Sequence, residues 1–119
     1  MTPPTTTCKR GDVVLVPFPF TDLSSAKQRP ALVVSAEAWN NSQPDVVLIA
    51  ITSQMGGKGE PGEIVLAAAD LQSAGLPKPS RVRTTKIFTM HQGLLRRTLG
   101  RLPDSTSMAV LAELRRFFS

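Results

Sequence analysis

The sequence predicts a mainly β domain of the α+β kind: a small, strongly bent sheet closed into a barrel and plugged by one C-terminal helix. Three observations point there. Apolar runs of four to eight residues, rich in valine and isoleucine, recur along most of the chain between stretches of turn chemistry. That is the pattern of short buried strands rather than long helices. The best helical periodicity comes last, in SMAVLAELRRFFS (107–119). Finally, 119 residues with a hydrophobic fraction of 41% leave room for one domain with one modest core.

Residues 1–9 are rich in proline and threonine and read as a flexible N-terminal lead; residues 10–119 form the single domain. DVVLVPF (12–18), PALVVS (30–35) and DVVLIAITS (45–53) are the buried strands. AEAWNNS (36–42) has room for only a turn or two of helix. EIVLA (63–67) and SRVRTTKIFTM (80–90) follow as strands, with a weaker one in LLRRTLGRL (94–102). In 80–90 polar residues alternate at Arg81, Arg83 and Thr85, which predicts one dry face and one wet, basic face. The last helix follows Pro103; Asp104 or Ser105 is placed to cap its start, and Arg115 and Arg116 suit the negative end of its dipole. Val110, Leu111, Leu114, Phe117 and Phe118 share one stripe and are expected in the core.

Two loops stand out. FTDLSSAKQR (20–29) is longer than a hairpin turn needs, which makes it a candidate functional loop. QMGGKGEPGE (54–63) lacks the order of glycine, lysine and Ser/Thr that cradles phosphates, and reads as a flexible linker between strands.

Composition narrows the chemistry. No apolar run approaches the roughly 20 residues of a membrane helix, so a cytoplasmic protein is expected. The single cysteine, Cys8, excludes an intrachain disulfide and reads as an incidental thiol. One histidine, one cysteine and dispersed carboxylates offer no metal-ligand spacing, so no metal and no cofactor is expected. His91 has no nucleophile motif around it and reads as a structural or surface residue. Charge is uneven. Residues 1–77 carry five Lys/Arg against seven Asp/Glu, net −2, whereas residues 78–119 carry nine against two, net +7. Such a field suits a polyanionic partner, nucleic acid or an acidic protein segment. Arginine, lysine, threonine and serine are the groups that remain, and they suit holding a phosphate, because guanidinium stays protonated and presents a planar fork to its oxygens.

RGDVVLVPFPFTD (10–22), QRPALVVS (28–35), VVLIAITS (46–53), SRVRTTKIFTM (80–90) and LGRL (99–102) together resemble the MazF/PemK toxins in order and spacing. The resemblance covers nearly the whole chain after residue 9. It implies an SH3-like β-barrel with short helices, usually a homodimer, acting as the toxin of a toxin-antitoxin pair. It also implies metal-independent endoribonuclease cleavage of single-stranded messenger RNA. Arg29 of QRP matches the family's catalytic arginine and Thr52 of ITS its catalytic threonine. Arg83 matches an arginine that contacts phosphate in the PemK branch. Thr85 and Lys86 stand where many members have aspartate and glutamine, which removes one general base. Lys27, Gln28, Ser53, Arg83, Thr85 and Lys86 form the expected RNA-contacting set.

The implied chemistry is attack of the RNA's own 2′-hydroxyl on the adjacent phosphate, leaving a 2′,3′-cyclic phosphate and a 5′-hydroxyl. Arg29 would stabilise charge on the phosphate and Thr52 would position an oxygen. For the proton acceptor, His91, a loop carboxylate such as Asp22, and solvent all stay open. Related CcdB toxins share the barrel but poison DNA gyrase, and this chain's RRFFS end keeps that alternative alive, as does an RNA-binding module without cleavage. With one Trp and no Tyr, no broad base-stacking platform is expected; Trp39 is assigned to core or dimer interface. An antitoxin's acidic segment over the basic cleft is the implied protein partner.

Overall fold

Strand pairing is antiparallel throughout the computed structural model, which describes residues 8–17, 28–57 and 59–119. The strands are β1 (Asp12–Pro17), β2 (Gln28–Val33), β3 (Asp45–Thr52), β4 (Ile64–Val65), β5 (Arg81–His91) and β6 (Arg97–Arg101). The helices are α1 (Glu37–Ser42), α2 (Ala68–Ala74) and α3 (Asp104–Phe118). Strand order across the sheet is β4-β5-β3-β2-β1-β6. The sheet curls into a half-barrel whose edges, β4 and β6, do not pair with each other, so the expected barrel is closed only in part.

Alternation along the strands splits the core between the sheet's two faces. On one face Val13, Leu32, Ile49, Ile51 and Val82 pack with Leu66 and Leu76, and with Val110 of α3. On the other, Val14, Val16, Ala31, Val33, Leu48 and Phe88 form a second cluster. β3 reads as a continuous apolar run because it is buried on both faces. Each fully buried Val or Leu contributes roughly 1.5–3 kcal/mol, so the central strands are the rigid frame.

Several expectations change. The strand read at 63–67 shortens to two residues, and α2 arises where no element was predicted. Its start is fixed by the Asp70 carboxylate, which accepts from the Ala67 N–H at 3.1 Å. Its end is a Schellman closure: Leu76 N–H bonds Leu71 O, Gly75 N–H bonds Gln72 O, and Gly75 adopts φ 71°. A side chain at Gly75 would also run into the Leu99 carbonyl oxygen, so α2 and β6 approach backbone to backbone.

The start of α3 is Asp104, after Pro103, and no side chain caps it. Asp104 is already inside the first turn and lies 3.8 Å from Arg101, so neither it nor Ser105 serves as the cap. Val110 is fully buried and Leu114 packs against the core, but Phe117 and Phe118 are exposed and meet edge to face at 4.9 Å. At Phe117 the helix borders an open cleft instead of the closed core. Trp39 is 51% exposed, which removes it from the core of this chain. Its Nε1–H donates to the Asp45 carbonyl.

Residues 1–7 of the lead and 18–27 of the first loop, with Asp22 and Lys27, lie outside the described residues. Cys8 and Lys9, assigned to the lead, are tied into the domain. Asn40, almost fully buried, donates to the Cys8 carbonyl, and Lys9 N–H donates to the Asp12 carboxylate at 2.9 Å. Burial first, and then the negative charge of Asp12, push the Cys8 thiol above its ordinary range; a backbone hydrogen bond pulls the other way.

Candidate functional site

Five strand termini meet at one end of the sheet: the end of β1, the start of β2, the end of β3, and the starts of β5 and β6. Arg29 and Thr52 are both there. The β2–β3 ladder runs Val33↔Leu48, Leu32↔Ile49, Ala31↔Ala50 and then stops. Pro30 comes next, and it has no N–H to continue the ladder. Arg29 lies two residues before that last pair and Thr52 two residues after it, so strand alternation puts both on the face shared by Ala31 and Ala50. On its other side β2 remains paired, Arg29 with Val16, so the arginine's backbone is held by β1.

The two side chains have complementary hydrogen-bonding states. Thr52 is half-buried, and its Oγ1 accepts the Gln54 N–H at 3.1 Å. That acceptance orients the hydroxyl and leaves its own proton to donate. Arg29 is half-buried, and its Nε is fully buried with no hydrogen-bond partner among the described residues. It forms no ion pair among the described residues. A buried donor without a partner is a rare and costly feature that calls for a reason.

Arg81 is the functional neighbour that the sequence reading missed as a site residue. It pairs directly with Thr52 in the β3–β5 ladder, which sets both side chains on one face. The strand register then breaks: Ile51 faces Val82 and Ile49 faces Ile87, so residues 83–86 bulge from the ladder. Arg83, Thr85 and Lys86 all belong to that bulge.

The face expected to be wet and basic is neither. Glu60-Pro61-Gly62-Glu63 forms a tight turn in which Glu63 N–H bonds the Glu60 carbonyl and Gly62 takes φ 86°, as the third position of a type II turn requires. The turn lays two carboxylates over the arginines. Glu63, whose side chain is only 5% exposed, accepts from Arg83 Nε at 3.0 Å and lies 3.3 Å from Arg81 Nε. The second contact is close but not aligned as a hydrogen bond, since Arg81 Nε remains a buried donor without a partner. Glu60 accepts from Arg83 Nη2 at 3.1 Å and from the Thr85 hydroxyl at 3.2 Å. Thr84, on the opposite face, donates to the Gly62 carbonyl and anchors the turn. The flexible-linker reading therefore fails for the second half of this loop. Proline followed by glycine between two glutamates was the signal for it.

The other expected contacts scatter. Gln28 is exposed and pairs with Pro17. Ser53 lies on the opposite face from Thr52, in a cleft of about 410 Å³ with Pro30, Leu76, Lys78, Arg97 and Leu99. Lys86 is exposed. His91 is exposed at the far end of β5, paired with Asp45, and its Nδ1 accepts the Gly93 N–H at 2.9 Å. That position removes it as a proton acceptor for Arg29 and Thr52 and fits the structural reading. No three His, Cys, Asp or Glu side chains converge as metal ligands among the described residues, and no described helix is long and apolar enough to cross a membrane.

Comparison with known proteins shows the family and the fold. The family model described as PemK-like, MazF-like toxin of type II toxin-antitoxin system matches residues 9–118. The chain is 35% identical over 92 residues to a protein named endoribonuclease MazF6 from Mycobacterium tuberculosis, spanning 76% of this chain and 78% of that one. Among solved structures, a MazE-MazF crystal structure from Deinococcus radiodurans superposes with a TM-score of 0.74 at 23% identity, covering 96% of this chain and 97% of that one. A mycobacterial endoribonuclease in complex with its cognate antitoxin gives 0.71 at 23% identity, covering 94% and 93%.

Proposed function

Since this chain belongs to the PemK-like, MazF-like toxins of type II toxin-antitoxin systems, we propose that it is a metal-independent endoribonuclease with Arg29 and Thr52 as its catalytic pair. The observation that carries the assignment is the buried Arg29 Nε without a partner among the described residues, on the same face as Thr52 and past the same end of the β2–β3 ladder. Leaving that donor unpaired costs stability in the free protein, and the accessible part of the half-buried guanidinium is what a phosphate would meet.

The substrate is single-stranded messenger RNA. Its 2′-oxygen attacks the adjacent phosphorus, the bond from phosphorus to the 5′-oxygen breaks, and a 2′,3′-cyclic phosphate forms. The 2′ proton leaves to an acceptor, and the departing 5′-oxygen takes up a proton, so no water is consumed. Arg29 supplies charge where negative charge grows on the phosphate; its high pKa makes it a hydrogen-bond donor to the leaving oxygen rather than an acid. Thr52, with its lone pair engaged by Gln54 N–H, donates to a non-bridging oxygen and holds the phosphate in line. With Thr85 at the position where many relatives carry aspartate, solvent remains an acceptor for the 2′ proton. Arg81 and Arg83 continue along the same face, held at rest by Glu60 and Glu63.

The remaining parts of the reading follow from the family and from the named neighbours. The protein works in the cytoplasm as a homodimer. A cognate antitoxin blocks it, as the mycobacterial structural neighbour is bound by its own. The test is to incubate pure protein with RNA in EDTA and map both ends of each fragment. Cyclic phosphate and 5′-hydroxyl ends, lost when the target nucleotide lacks its 2′-hydroxyl, are expected. Cleavage that stops on chelation would refute the metal-free mechanism, and gyrase inhibition without RNA cleavage would favour the CcdB-like alternative.

A further inference from the structure

Arg83 is the cation that the fold prepares for a phosphate and yet fills with an internal anion. Its guanidinium is shared between two carboxylates that differ in burial. Glu63 is 5% exposed, receives Arg83 Nε at 3.0 Å and accepts the Glu60 N–H at 3.0 Å, so it is fixed within the turn. Glu60 is 49% exposed and takes the opposite edge of the fork, Nη2, together with the Thr85 hydroxyl. One guanidinium edge and one hydroxyl converging on a single anion is also how a phosphate is held. Glu60 is half-exposed and so has room to swing toward solvent; a cleft of about 330 Å³ lined by Gly62, Glu63, Thr85, Glu113, Arg116 and Phe117 lies beside the turn.

We propose that Arg83 and Thr85 form a subsite for an RNA backbone phosphate, and that the Glu60 carboxylate occupies it at rest as an internal competitor. Glu63 is a positioning residue: it keeps the guanidinium oriented when Glu60 is displaced. This rests on the endoribonuclease reading above. The subsite belongs to RNA rather than to an acidic peptide because it lies two residues beyond Arg81, and Arg81 is the ladder partner of Thr52. That offset is about 6.7 Å along a strand, the scale of one backbone step from the phosphate on Arg29 and Thr52. Thr85 thus acts as a phosphate donor where relatives place a carboxylate.

Displacing a half-exposed pair is a small cost, so the effect on affinity is a few-fold. Glu60→Gln should lower KM for a cleaved RNA by about two- to fivefold with kcat retained. Binding of the same RNA with every 2′-hydroxyl methylated should tighten equally. Its log-log salt dependence should steepen by roughly 0.7, because Arg83 would then release a counterion instead of a carboxylate. In an Arg83→Gln background the gain from Glu60→Gln should vanish, a result that a merely structural glutamate would not give. The melting temperature of each variant shows that it is folded. If wild type cleaves RNA in an Arg29-dependent way but Glu60→Gln leaves KM unchanged, lowers kcat, or tightens binding without Arg83, the competitor is refuted while the endoribonuclease reading stands. If wild type cleaves no RNA, both fall. Tighter binding by Glu60→Gln of an Asp/Glu-rich peptide, with RNA unaffected, would assign the subsite to a protein partner and overturn it for RNA.

Discussion

Arg29 and Arg83 stand at the same end of the sheet and solve the problem of a half-buried cation in opposite ways. Arg29 on β2 has a buried Nε with no partner, whereas Arg83 on β5 is clamped by two glutamates from one turn. An unpaired buried donor is stability given up for function, since a carboxylate nearby would have removed the cost. The clamped arginine is the reverse: its charge is neutralised until something more anionic arrives. Two arginines with the same chemistry are thereby separated into one that is ready and one that is held back. The basic field counted from the sequence shrinks accordingly, because Arg81, Arg83, Arg101 and Arg116 all face acidic side chains.

The contrast breaks most visibly under substitution of the two partners. Arg29→Met should abolish cleavage yet leave the melting temperature unchanged or raised, because it removes a buried donor that no described residue satisfies. Glu63→Gln should do the opposite to stability. Removing the buried carboxylate leaves Arg81 and Arg83 facing each other, at a cost of about 3 kcal/mol, readable as a drop in melting temperature on the order of 10 °C. A Glu63→Gln protein as stable as wild type would mean that the turn is ornamental. Thr52→Val keeps shape and loses the hydroxyl; kcat should fall by about ten- to a hundredfold with little change in KM, measured on the same RNA.

A smaller effect comes from Cys8. Its thiol is pushed up by burial and by Asp12, so the folded state favours the protonated form. That contribution is complete below the ordinary thiol range and is lost as pH rises through the folded value. Cys8→Ser should flatten the alkaline limb of the melting profile and leave its neutral part alone. An unchanged alkaline limb would show that the thiol does not titrate in this range.

What the sequence made legible follows from how each feature is encoded. β1 and β3 are written in valine and isoleucine, and β2 and β5 in apolar runs or alternation, because they are buried on one or both faces; their bounds were readable within a few residues. α2 was not readable: seven residues beginning AAD carry no full helical period, and its stability comes from docking Gly75 and Gly100 against each other's backbone neighbours. The end of α3 misled because helical periodicity continues through Phe117 and Phe118 although the core does not. Arg29 and Thr52 were found through family blocks, and their placement on one face follows from the ladder that Pro30 ends. The Glu60–Glu63 clamp escaped because its partners are 20 to 25 residues apart in the chain, joined only once β5 bulges.

The central claim is that the Arg29 guanidinium, whose buried Nε has no partner among the described residues, is the charge that drives RNA cleavage, and a single-turnover rate for Arg29→Ala on an RNA that wild type cleaves, in EDTA, tests it most directly. A fall of about a hundred- to a thousandfold with the variant still folded is the predicted result; cleavage at the wild-type rate would contradict the account.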